Sequence, residues 1–159
     1  MYRIVPAAVT HPESLTLIAA LDAWQTQLYP SESNHLSDLS EAEEERLIFM
    51  VIRSPQGEAV GCGAVLITAP GFGELKRVYI DVRHRGQRLG EALLAKLEQA
   101  AGVRGCHTLR LETGIKQPAA ITLYQRCGYA LTDAFPPYQP DPLSLFMRKN
   151  LTHSEAAAL

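Results

Sequence analysis

Between Glu74 and Ala101 the chain passes from a strand pattern to a helix pattern across a short basic loop, and this passage narrows the available folds more than any other stretch. Leu75, Val78, Tyr79, Ile80 and Val82 form a β-branched and aromatic run, after which Leu89, Leu93, Leu97 and Ala101 recur every fourth residue on one helix face. Between them lies Arg83-His84-Arg85-Gly86-Gln87-Arg88-Leu89-Gly90, with two glycines and four basic or titratable side chains. A helix N-terminus presents unpaired N–H groups and the positive end of its dipole, so this loop is a candidate pyrophosphate cradle. A glycine loop that merely turns the chain is the plainer alternative.

Val103-Arg104-Gly105 closes the helix and His107–Thr113 reads as a further strand, giving a β-α-β unit whose right-handed crossover sets its strands parallel. Upstream, Tyr2–Ala8 reads as a strand shortened or held at an edge by Pro6. A helix is expected over about 11–29, with Thr10 and Glu13 in a capping pattern. Ser40-Glu41-Ala42-Glu43 opens a short acidic helix to about Arg46. Arg46–Arg53 and Ala59–Thr68 form a hairpin about Ser54-Pro55-Gln56-Gly57, with Gly61 and Gly63 suited to a close backbone approach. Downstream, Pro118 opens a short helix that Gly128 ends, and strands follow at Tyr129–Ala134 and Leu143–Arg148, separated by a loop with four prolines.

The expected architecture is α/β (α+β): a mixed, mainly antiparallel sheet of six to seven strands, helices on both faces and a central β-α-β unit. One domain is expected over 1–150, with 151–159 a frayed tail. A net charge of -2 gives no general attraction to nucleic acid or anionic membranes, so any anion site is local. No apolar run approaches the ~20 residues that span a bilayer, and the N-terminus lacks a signal-peptide order, so the cytoplasm is the expected location. Cys62, Cys106 and Cys127 lack zinc-site spacing and read as buried free thiols, and no metal is expected.

Val78-Tyr79-Ile80-Asp81-Val82 followed by Arg85-Gly86-Gln87-Arg88-Leu89-Gly90 resembles motif A of the GNAT superfamily of N-acetyltransferases, written Gln/Arg-x-x-Gly-x-Gly/Ala. Arg85 and Gly90 match its ends, while Arg88 stands where the middle glycine is usual. Leu109–Thr113 and Ala119–Tyr129 are similar to that superfamily's next strand and motif B, so the resemblance runs from about Glu74 to Tyr129.

What the resemblance implies is acetyl-CoA-dependent transfer of an acetyl group to the primary amine of a small molecule or amino acid, by direct attack in a ternary complex. Protein N-terminal or lysine acetylation is the alternative within the class, and a non-catalytic CoA-sensing protein the alternative outside it. For the co-substrate, it implies that the backbone of Val78, Tyr79 and Ile80, at a strand bulge, pairs with the pantetheine arm. The N–H groups from Gly86 to Glu91 would hold the pyrophosphate within the segment Arg85, Gly86, Gln87, Arg88, Leu89, Gly90 and Glu91. Arg88 must then point outward or add a charge-assisted contact to a phosphate. Gln117 takes the place of an asparagine that contacts pantetheine in many relatives.

For catalysis, the resemblance puts Tyr124 where a tyrosine protonates the leaving thiolate; a core tyrosine with a satisfied hydroxyl is the alternative. Glu74 and Glu112 occupy the places of the base in two branches, with Glu74 preferred because its strand carries the bulge. Glu74 paired with Lys76 and Glu112 paired with Arg110, as solvated surface charges, would leave a water relay instead. The acceptor would be shaped by residues 24–45 and 135–142, where Glu32, His35, Tyr138 and Asp141 could meet an amine or amino acid. A homodimer remains open.

Overall fold

A computed structural model describes residues 1–30 and 38–151. Glu32, His35 and the tail from Thr152 lie outside the described residues. The strands are β1 (Arg3–Pro6), β2 (Leu47–Arg53), β3 (Ala59–Ala69), β4 (Phe72–Ile80), β5 (Thr108–Gly114), β6 (Ala130–Thr132) and β7 (Ser144–Asn150). The helices are α1 (Pro12–Leu28), α2 (Leu89–Val103) and α3 (Pro118–Arg126). The strands form one sheet in the order β1-β2-β3-β4-β5-β7-β6, antiparallel throughout except for β4 and β5. The expected fold class, including the β-α-β crossover, is the one observed.

The central strands are apolar on both sides because both faces of the sheet are covered. Ile48, Met50 and Ile52 of β2 share a core with Leu93, Leu94 and Leu97 of α2. Phe49 and Val51, pointing the other way, pack with Leu17 of α1 and Leu39. The expected acidic helix over 40–46 is instead two separate 3-10 turns, Leu39–Glu41 and Glu44–Arg46. Its residues are good helix formers, but Asp38 caps Ser40 N, Ala42 and Glu43 are extended, and the short turns close on themselves. The proline-rich segment likewise leaves β6 only three residues long.

Two irregularities of β4 prepare the site. Cys62 pairs with Tyr79 and Ala64 with Lys76, so one residue of β3, Gly63, faces two of β4, Arg77 and Val78. That bulge puts Arg77 in the left-handed region, at φ 54, where a non-glycine residue carries strain. Gly63 takes the opposite packing: a Cβ there would lie 3.0 Å from side-chain atoms of both Leu93 and Leu97, and α2 rests on that spot. The second irregularity is the short pairing of β4 with β5, which covers Phe72↔Thr108, Gly73↔Leu109 and Glu74↔Arg110 and then stops. Past that point β4 stays with β3 and β5 with β7, so the sheet opens between them.

Across the sheet from α1, the buried Glu98 of α2 accepts from Tyr129 Oη at 2.9 Å and pairs with Lys149 Nζ at 2.8 Å. This links α2 to β7, and nothing in the apolar periodicity of the helix announces it.

Candidate active site

The loop after β4 is built before it reaches α2. Asp81 accepts from Arg83 N at 3.0 Å and starts a 3-10 turn over Val82–His84. Arg85 Nε donates to the carbonyl of Ile80 at 2.8 Å, tying the loop back to the strand end. Tyr2 Oη lies 2.9 Å from His84 Nδ1 and accepts from Gln87 Nε2 at 3.0 Å, which anchors the loop to the chain's start. Tyr2 was not legible as part of this site.

Arg88 caps α2 with φ 60 and ψ 24, in the left-handed region. Glycine, usual here in the motif that the loop resembles, adopts this conformation without strain, whereas arginine carries a conformational cost of about 1–2 kcal/mol there. Its side chain is exposed and lines a cavity of about 360 Å³ between this loop and α3. The first α2 backbone bond runs from Ala92 N to Arg88 O, so the N–H groups of Leu89, Gly90 and Glu91 precede the helical ladder. At Gly90 a Cβ would come 2.8 Å from Leu123 of α3, so the last motif glycine lets α3 lean against the helix start. Glu91 pairs with Arg126 of α3 at 2.9 Å, next to the same cavity. A glycine-lined helix start, with an exposed arginine at its rim, suits an anion.

The opening between β4 and β5 is a cleft whose lining includes Glu74, Val78, Glu112, Gln117 and Tyr124, gathered from three elements. Tyr79 points to the other core, beside Cys62, while Ile80 lines the loop cavity. From Leu75 to Ile80, the side of β4 away from β3 has no strand beside it.

Tyr124 is buried and meets Tyr129 edge to face, with centroids 5.9 Å apart. Its hydroxyl has no hydrogen-bond partner among the described residues, although its ring lines the cleft. Burial first, and the nearby Glu112 second, push its pKa far above the ordinary phenol value, so it stays protonated at neutral pH. Gln117, at the head of α3, turns its Oε1 back to accept from Thr113 Oγ1 at 3.2 Å and Gly114 N at 3.1 Å.

The two glutamates differ in their surroundings. Glu74 is 3% exposed; it accepts from Tyr138 Oη and lies 3.3 Å from Lys76 Nζ. The pair with Lys76 is therefore real but buried, and not a solvated surface pair. Glu112 accepts from Ser144 Oγ at 2.7 Å. Arg110 sits between the rings of Phe72 and Phe135, at 4.4 and 4.7 Å, in a double cation–π stack. Tyr138 therefore enters the site through Glu74, whereas Asp141 shapes its loop by accepting from Leu143 N at 2.8 Å. Tyr29 was missed: its hydroxyl accepts from Lys116 N at 3.1 Å, and it forms a wall of the cleft. None of the three cysteines lines the cleft or the loop cavity, and burial pushes the Cys62 thiol up to about 12. Among the described residues no helix is long and apolar enough to cross a membrane.

A family model described as the acetyltransferase (GNAT) family matches residues 15–129. The chain belongs to the GNAT acetyltransferase family. This GNAT N-acetyltransferase is 46% identical over 136 residues to the IAA acetyltransferase of Azospirillum brasilense, covering 85% of this chain and 88% of that one. A crystal structure of a candidate acyl-CoA N-acyltransferase from Klebsiella pneumoniae is 59% identical, with a TM-score of 0.87 over 96% of this chain and 99% of that chain. The PaiA N-acetyltransferase of Thermoplasma acidophilum, solved with coenzyme A, shares the fold with a TM-score of 0.71 at 17% identity, over 94% of this chain and 99% of that chain.

Proposed function

We propose that this GNAT acetyltransferase moves an acetyl group from acetyl-CoA to the primary amine of a small molecule or amino acid, within a ternary complex. The observation that carries this reading is the parting of β4 from β5 beyond Glu74 and Arg110. It leaves an unpaired strand edge from Leu75 to Ile80, leading from the loop at the start of α2 to Tyr124 and the two carboxylates. A pantetheine arm is an extended chain of amides, and it would pair along that edge at Val78–Ile80 as an added strand does. The N–H groups of residues 86–91 would hold the pyrophosphate, with Arg88 adding charge at the rim. Coenzyme A bound to a relative of the same fold is in keeping with this. The proposed setting is the cytoplasm, where free thiols persist.

The amine attacks the thioester carbonyl, its proton leaves to a carboxylate, the C–S bond breaks and Tyr124 Oη gives its proton to the sulfur. Glu112 is the better base. Glu74 is 3% exposed, and its Oε2 is already engaged by the Tyr138 hydroxyl and the Lys76 ammonium, which stand between it and an incoming amine. Glu112 faces the cleft with a hydroxyl donor and acts electrostatically on Tyr124.

Mixing the protein with acetyl-CoA and a panel of primary amines, and following free thiol and N-acetylated product, tests the reading. Amine-dependent thiol release is expected. Bound acetyl-CoA with no turnover on any amine or peptide would leave a sensor, and turnover on peptides alone would leave a protein acetyltransferase. Arg88→Gly is expected to weaken acetyl-CoA up to a few-fold by calorimetry, with little change in melting, because the lost charge is set against relief of the left-handed arginine. Tenfold tighter binding would show that the arginine obstructs the site.

A further inference from the structure

The register that ends the β4–β5 pairing also fixes what stands opposite what across the opening. Glu74 and Arg110 are the last partners; two residues further along these parallel strands, Lys76 and Glu112 reach the same level. Alternation puts both on the face that carries Glu74, and both line the cleft. An ammonium and a carboxylate thus occupy opposite walls of a gap that the sheet does not fill.

Lys76 is fixed in place. Its Nζ donates to Tyr138 Oη at 3.2 Å and lies 3.3 Å from Glu74 Oε2, with its side chain 8% exposed. An ammonium has three N–H groups, so two are directed at these partners and the third has none among the described residues. The bulge brings Arg77 to the same side of β4, where it pairs with Asp22 of α1 at 2.9 Å and also lines the cleft. The charged cleft residues Lys76, Arg77, Glu74 and Glu112 therefore sum to zero: Glu112 makes the β5 wall negative, and on the β4 wall the two cations outnumber Glu74 by one. A plain amine is best served by a net-negative lining, whereas a balanced lining split between two walls complements a zwitterion.

Resting on the acetyltransferase reading above, we infer that the acceptor is a free amino acid, its carboxylate held by Lys76 and its amino group directed to Glu112. Lys76 is then the residue that sets specificity. The substrate's own side chain would extend toward Tyr29, Gln25 and Leu143.

The test compares acceptors matched in side chain: the free amino acid, its carboxamide and its decarboxylated amine, over apolar, aromatic and basic side chains. The readout is kcat/KM for thiol release from acetyl-CoA. For at least one side chain, the free amino acid should exceed its carboxamide roughly 10-fold or more, chiefly through KM. In Lys76→Met that ratio should fall toward one, and Lys76→Arg, which keeps a cation, should restore part of it. Carboxamides or amines used as well as amino acids in the wild type, or a preference unchanged in Lys76→Met, overturn this inference and leave the transferase reading standing. Bound acetyl-CoA with no acceptor acetylated overturns both.

Discussion

Tyr124→Phe is expected to slow acetyl transfer by ~10²-fold at saturating acetyl-CoA while leaving cofactor affinity and melting nearly unchanged. The substitution keeps the ring, so the edge-to-face contact with Tyr129 survives. It removes a hydroxyl with no partner among the described residues, so folding loses no hydrogen bond there. What is lost is a proton held at the end of the cleft, on a phenol whose burial keeps it protonated. The thiolate that departs needs that proton only as the C–S bond breaks, so the loss appears in the rate and not in ground-state binding. Single-turnover kinetics together with calorimetric titration of acetyl-CoA measure the two separately. Full activity would end the assignment, and a rate loss matched by weaker cofactor binding would make Tyr124 a packing residue.

Glu112→Gln should cost ~10²-fold or more in kcat/KM and should remove the acidic limb of the pH profile. A carboxylate base works only when ionised, so wild-type activity falls as pH drops through its pKa, and a glutamine has no such transition. Glu74→Gln should retain the limb and register mainly in stability. It leaves Lys76 without its counter-charge in a place where that side chain is 8% exposed, though the amide oxygen can still accept from Tyr138. A loss of about 1–3 kcal/mol is expected, read from the denaturation midpoint at unchanged slope. A lost acidic limb in Glu74→Gln, with Glu112→Gln near wild type, would exchange the two roles.

The contrast between these glutamates shows where sequence reading stops. The strand, loop and helix from Glu74 to Ala101 were legible because period-two and period-3.6 patterns are local, and the crossover to β5 followed from chain geometry. The meeting of Tyr124, Gln117, Glu112 and Glu74 in one cleft depended on the family resemblance, since no spacing along the chain encodes it. Burial of charge was illegible. Glu74 with Lys76 reads as a solvated pair until Tyr138, from a distant segment, closes over it, and nothing along the chain announces the buried pairing of Glu98 with Lys149 and Tyr129. Arg110 offered a counter-charge to Glu112 by proximity in sequence, yet the rings of Phe72 and Phe135 hold it. The bulge was expected at Val78–Ile80, but its left-handed residue is Arg77, an arginine where no glycine marked the turn. Arg88 likewise stood out as a missing glycine, and the reason glycine is usual became plain only from its φ of 60.

Acetyl-CoA binding decides whether the split between β4 and β5 and the loop before α2 form one co-substrate slot. Its dissociation constant is measured by calorimetry, and thermal or denaturant unfolding is then followed at about 100 times that concentration. Saturable one-to-one binding and a stabilisation of about 2.7 kcal/mol are expected. No heat of binding and no shift in unfolding at millimolar acetyl-CoA, with intact folded protein, would contradict the co-substrate slot.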